Sequence, residues 1–280
     1  MNWKIHQDSI LPQHLVSHIF GWLSNRKTRW LKLWLIRWFI RHYNINMDEV
    51  AVTDLDAYPT FNAFFARHLR PEARPIVHDE HAIVSPVDGE LSAFGTIKNA
   101  KLIQAKRYDY QLTELIIDDK LAMLLENGSY CTLYLSPKNY HRVHMPMTGQ
   151  LTRMTYVPGY LFSVNQSRAE HIPKLYARNE RVICEFNCLP GKMVVVLVGA
   201  YRVGNIVTRW HGLVAPQRKR QIQTWDYSQQ HIVLYKGQEL GYFGMGSTVI
   251  LLFPPMQIKW HPSIHQHKLL RMGEWLAYSM

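Results

Sequence analysis

From residue 82 to residue 253 the chain is cut into short β-forming runs bounded by turn-forming residues, and that pattern limits the body of the protein to sheet. The runs fall at 82–84, 91–94, 130–135, 151–157, 181–186, 193–198, 201–208, 231–234 and 248–253. Helical periodicity precedes them at 28–43 and at 61–69, where Phe61, Phe64 and Phe65 recur at i, i+3, i+4 before Pro71. A further helical stretch is expected around 112–125, and a short one at 268–278 in the tail. The expected class is α+β, a mostly β body preceded by N-terminal amphipathic helices. The expected division is a helical region over 1–70 and one domain over 71–280. With 47% hydrophobic and 19% charged residues, the chain of 280 supports a buried core and is not disordered.

Charge is concentrated at one end. Residues 1–43 hold seven Lys or Arg against one acid, which is +6 of the net +11, interleaved with five of the nine tryptophans. Basic residues mixed with tryptophan suit an anionic membrane interface better than a nucleic-acid footprint spread over a folded surface. At 100° per residue, Arg29, Lys32, Arg37 and Arg41 fall on one half of helix 28–43, and Leu31, Leu35, Trp38 and Phe39 largely on the other. The longest apolar runs here are far shorter than the roughly 20 residues a membrane span needs. The first residues lack a signal-peptide pattern, so cytoplasmic synthesis is expected. Cys131, Cys184 and Cys188 have no CxxC spacing and are expected to be reduced thiols.

Three places could carry chemistry. Gly246-Ser247-Thr248 sets a serine between a flexible glycine and a β-forming run, where a strained peptide could cleave itself. Tyr140-His-Arg-Val-His-Met-Pro146 offers His141 and His144 as bases near neutral pH. A continuous strand would point these two to opposite sides, and no carboxylate or thiol lies nearby to make them a metal pair. Ser85-Pro-Val-Asp-Gly-Glu90 reads as an ordinary turn, but Asp88 could instead orient a base histidine.

These motifs, with Val157-Pro-Gly-Tyr-Leu-Phe-Ser-Val-Asn165 and Ala177-Arg-Asn-Glu-Arg-Val182, occur in one order along the chain. That combination resembles the phosphatidylserine decarboxylases of bacterial and mitochondrial type. The likeness runs from Phe61-Asn-Ala-Phe-Phe-Ala-Arg67 to Arg271-Met-Gly-Glu274. It implies a proenzyme that cuts itself between Gly246 and Ser247 into a β chain, 1–246, and an α chain, 247–280. Ser247 would become a pyruvoyl group that forms a Schiff base with phosphatidylserine, so that carbon dioxide leaves and phosphatidylethanolamine remains. Neither a metal nor pyridoxal phosphate is implied. By the same likeness His144 deprotonates Ser247, Asp88 orients His144, and His141 serves decarboxylation. Asn139 stands where some relatives carry an acid, and Met245 where many carry leucine.

The lipid substrate that the resemblance implies would give the basic, tryptophan-rich segment a purpose, and the expectation is a peripheral protein on the cytoplasmic face of the bacterial inner membrane. Trp30, Trp34 and Trp38, with Leu161 and Phe162 near a site mouth, are the candidate membrane or substrate contacts. A homodimer is left open, and no nucleic acid is expected. A lipid or nucleic-acid binder without chemistry would leave Gly-Ser-Thr and the histidines unexplained. A serine hydrolase would require a Gly-x-Ser-x-Gly elbow, which the chain lacks.

Overall fold

The computed structural model describes residues 22–105, 108–200, 205–217, 220–244 and 247–280. The largest sheet is antiparallel. Its strands run in the order Gln223–Asp226, Gly149–Val157, Arg181–Cys188, Gly191–Gly199, Ser247–Phe253, Ser129–Leu135, Gly89–Thr96, Leu269–Leu270. Strand Ser247–Phe253 is central and wholly buried. Side chains alternate across a strand, and here Val249, Leu251 and Phe253 enter one core cluster while Ile250 and Leu252 enter the other. Both faces are covered, so the run has no reason to alternate with polar residues.

A four-stranded sheet orders Gly212–Ala215, Ile206–Thr208, Glu239–Phe243 and Arg142–His144. It brings the histidine motif alongside the strand that leads into Gly244. A three-stranded sheet joins Ala82–Val84, Trp275–Ser279 and Ile258–Trp260. The tail over 268–278 is therefore sheet rather than helix. Its chain turns at Gly273, at φ +91°, and pairing with Ala82–Val84 outweighs the weak helical pattern.

In front of the sheets, helix Arg29–Tyr43 ends on Asn44 in the left-handed conformation. The five-residue helix Phe61–Phe65 is capped by Thr60 Oγ1, which accepts from the Ala63 N–H at 3.1 Å. It stops short of residue 69 because Leu69 bridges to Val50. These helices build a separate aromatic core from Ile36, Phe39, Tyr58, Phe61, Phe64 and Phe65. The stretch 112–125 is two helices, Leu112–Ile116 and Asp119–Leu125, broken where Ile117 takes φ 51° and Asp118 caps the second.

Helix Arg29–Tyr43 faces differently from the even split expected. Lys32 is buried with Leu33, Ile36 and Phe39. Its Nζ donates to the carbonyls of Asp56 and Tyr58, at 2.8 and 2.7 Å, which lets a cation sit inside. Trp30, Trp34 and Trp38, spaced four apart, are left outside at 71, 59 and 48% exposure, with Arg37 and Arg41 beside them. Among the described residues no helix is long and apolar enough to cross a membrane.

Candidate active site

Ser247 opens the central strand, opposite Leu135 on one side and Gly199 on the other. It is fully buried, and its Oγ has no hydrogen-bond partner. Met245 and Gly246 lie outside the described residues, so the expected scission point is bracketed by Gly244 and Ser247.

His141 is bonded to the residue before Gly244 and to the residue after the strand partner of Ser247. Its carbonyl accepts from the Phe243 N–H at 3.1 Å, and its Nε2–H donates to the carbonyl of Ser136, the residue after Leu135, at 3.1 Å. Phe65 stacks on the ring, with centroids 4.2 Å apart. A carbonyl can only accept, so the proton sits on Nε2 and the lone pair on Nδ1, which has no partner. Burial, and then the Arg67 charge, push this imidazole down to about 3. It is neutral and dry at pH 7.

His144, on the adjoining strand, is bonded at both nitrogens: Nδ1–H donates to Gly237 O at 2.8 Å, and Nε2 accepts from Tyr140 Oη–H at 3.0 Å. Burial holds its proton affinity below that of a free histidine, against the opposing pull of the Gly237 carbonyl. Its backbone N–H reaches Pro86 O at 2.8 Å, which ties it to the turn carrying Asp88. The Asp88 carboxylate itself is taken by Arg74 and by the Met272 N–H rather than by either imidazole. Burial pulls the Arg74 guanidinium down, but its bonds to Asp88 and Glu49 outweigh that and raise it. The structure thus sets His141 and His144 along one edge of the strand Glu239–Phe243, His141 at its Phe243 end and His144 at its Glu239 end, with the turn carrying Asp88 bonded to His144 through Pro86. It shows no hydrogen bond from Ser247 to any of the three.

A cleft of about 710 Å³ opens here, lined among others by Asp88, Arg74, Ser136 and Tyr140. The end of helix Arg29–Tyr43 reaches it through Asn44 and Ile45. Leu161 does not face outward; at 6% exposure it packs by Gly199 in the core. Phe162 is half-buried under Arg178, stacked on Tyr160. Arg74 and Gly237 carry no sequence signal for their parts here, whereas Tyr140 lies inside the histidine motif. Among the described residues no group of three His, Cys, Asp or Glu is arranged to hold a metal ion.

Comparison with known proteins adds to this geometry. A family model described as phosphatidylserine decarboxylase matches residues 61–278, and a second, described as PSD, matches residues 8–44. A phosphatidylserine decarboxylase proenzyme of Coxiella burnetii is 47% identical over 272 residues, covering 97% of this chain and 95% of the relative. That of Pseudomonas entomophila is 49% identical over 272 residues, covering 96% and 94%. That of Methylobacillus flagellatus is 46% identical over 277 residues, covering 98% of both.

Proposed function

Because the chain belongs to the phosphatidylserine decarboxylase family, we propose that it is a proenzyme that cuts itself before Ser247 and then decarboxylates phosphatidylserine through a pyruvoyl group. The observation that carries this reading is the Ser247 hydroxyl, buried and unpartnered at the start of the central strand. Most buried hydroxyls find a partner; Thr248 and Thr132 in the same sheet also lack one, but Ser247 alone of the three opens the strand at the expected scission point.

For self-cleavage, a base takes the Ser247 proton and Oγ attacks the Gly246 carbonyl carbon. The C–N bond breaks, and residue 247 is left as an amine esterified through Oγ. Loss of the Cα proton expels the Gly246 carboxylate, and the resulting dehydroalanine hydrolyses to pyruvoyl with release of ammonia. The site fits that group, since replacing a hydroxyl that has no partner forfeits no hydrogen bond. Strand pairing on both sides holds Thr248 onward in place. A pyruvoyl carbonyl supplies the electron sink that lets a carboxylate leave as carbon dioxide.

His144 is the base toward Ser247 in this reading. The Gly237 carbonyl fixes its tautomer so that the lone pair lies on Nε2, which must exchange Tyr140 for the serine hydroxyl. Asp88, one turn away, supports the charge that His144 acquires. His141 keeps its free Nδ1 for proton handling during decarboxylation. A second reading reverses the two histidines. It is favoured by the unpartnered Nδ1 of His141 beside a segment that also holds the unpartnered Ser247 Oγ.

The substrate lies in a bilayer, and the tryptophan stripe with Arg37 and Arg41 suits a peripheral attachment to an anionic surface. The reading therefore extends to the cytoplasmic face of a bacterial inner membrane. Intact mass of the purified protein beside Ser247→Ala tests the central step. Two chains broken after Gly246, the smaller blocked at its N-terminus, are expected only for the parent. A single unbroken chain in both would overturn the pyruvoyl reading.

A further inference from the structure

Two buried arginines are treated differently by this fold. Arg181 is satisfied by four backbone carbonyls, those of Leu115, Ala177, Asn179 and Glu114, at 2.6–3.0 Å. Arg67, 4% exposed, lies over the Phe64 ring at 5.4 Å but has long hydrogen bonds only to Phe65 O and Lys138 O, at 3.5 and 3.4 Å, and its Nε has no partner. No described carboxylate lies within ion-pair distance of it, since Arg74 holds both Asp88 and Glu49. A guanidinium kept this dry with donors to spare is costly unless something else takes them. Arg67 also lines two clefts at once, the one beside Asp88 and Tyr140 and a second of about 390 Å³ that reaches Gly244.

We propose that Arg67 is the anion receptor of this site and that it takes the carboxylate of the phosphatidylserine headgroup. The assignment rests on the decarboxylase reading above. The planar fork of a guanidinium matches a carboxylate edge to edge. Lys138 and Arg271 are exposed at the same cleft and suit a phosphate that stays wet. Arg67 sits inside, next to His141, whose ring stacks on Phe65 two residues before it. The substrate carboxylate loses its charge as carbon dioxide forms, so the pairing is stronger with bound substrate than in the transition state. Arg67 therefore sets affinity and headgroup choice, and its loss raises KM without lowering kcat.

Full-length Ser247→Ala, which stays one chain, provides the test. Calorimetry would measure its binding of glycerophosphoserine and of glycerophosphoethanolamine, with and without Arg67→Gln. The serine headgroup is expected to bind about 10-fold tighter or more, and Arg67→Gln to erase that preference. Equal weakening of both headgroups would assign Arg67 to the phosphate, and no change, or no preference in the parent, would leave it a structural residue. Either result overturns the proposal. If Arg67→Gln does not fold, Arg67→Lys keeps the charge and loses the fork, and the preference must still fall. In the processed enzyme KM should rise about 10-fold with kcat held or increased. A parent that neither self-cleaves nor decarboxylates sinks the underlying reading. A parent that does both, beside Arg67 variants with parental KM, sinks only this one.

Discussion

Arg74 grips Asp88 along both edges of the carboxylate, Nε at 2.8 Å from Oδ1 and Nη2 at 2.6 Å from Oδ2. Both side chains are buried, and the same Nη2 also holds Glu49 at 2.8 Å. Cutting one partner from such a pair leaves an uncompensated charge, which costs about 3–5 kcal/mol. Arg74→Met should lower the urea stability of the Ser247→Ala chain by that order. Adding Asp88→Asn should restore part of the loss, because it removes the stranded charge. Strictly additive losses would mean the pair is not coupled.

The two histidines can be separated because each makes a distinguishable structural bond. Asn at 144 can still donate to Gly237 O from the Nδ1 position, and Gln at 141 can still donate to Ser136 O from the Nε2 position. Neither amide is a base. His144→Asn should remain one chain, with self-cleavage slowed about 100-fold or more. His141→Gln should cleave and then decarboxylate at least about 100-fold more slowly. Gel analysis of cleavage followed by release of carbon dioxide reads both, and the reverse pattern would exchange the two roles.

His141 also makes stability depend on pH. Its folded value of about 3 lies below the roughly 6.5 of an unfolded histidine. Between those limits the unfolded chain binds a proton that the folded chain refuses. The contribution is thus complete above about pH 6.5 and is lost as pH falls toward 3, at up to roughly 1.4 kcal/mol per pH unit. His144, shifted in the same direction, adds to the slope. Urea denaturation of Ser247→Ala from about pH 7 to about pH 5 should show stability falling, and His141→Gln should flatten the slope by one histidine's share. A slope unchanged by that substitution would place the acid sensitivity elsewhere.

Runs such as 130–135 and 248–253 declared their strands because β-branched and aromatic residues fill a pleated, buried surface whatever pairs with them. The tail over 268–278 did not, since its strands exist through pairing with the distant Ala82–Val84 and Gly89–Thr96 and with Ile258–Trp260. Ser247, His141, His144 and Asp88 are legible as residue types in short motifs. Their bonding is not: Arg74 lies 14 positions before Asp88, and Gly237 lies 93 after His144. Nothing local marks either as a partner. The burial of Lys32 on helix Arg29–Tyr43 is illegible for the same reason, because the carbonyls that accept its protons belong to the distant Asp56 and Tyr58.

That corrected helix face yields a sharper expectation at the membrane. Trp30, Trp34 and Trp38 project from one exposed stripe, and none of them belongs to the aromatic core beneath. Replacing Trp34 with Ser should therefore leave unfolding within about 0.5 kcal/mol of the parent. Its indole would be buried only on binding a bilayer, so partition to vesicles containing phosphatidylserine should fall about 10-fold per tryptophan removed. Arg37→Gln should weaken the same partition by about 1 kcal/mol, an effect that salt screens away, while the tryptophan effect persists in salt. Vesicle sedimentation at two ionic strengths separates the terms. Full binding by a variant lacking all three tryptophans would show that this stripe is not the attachment surface.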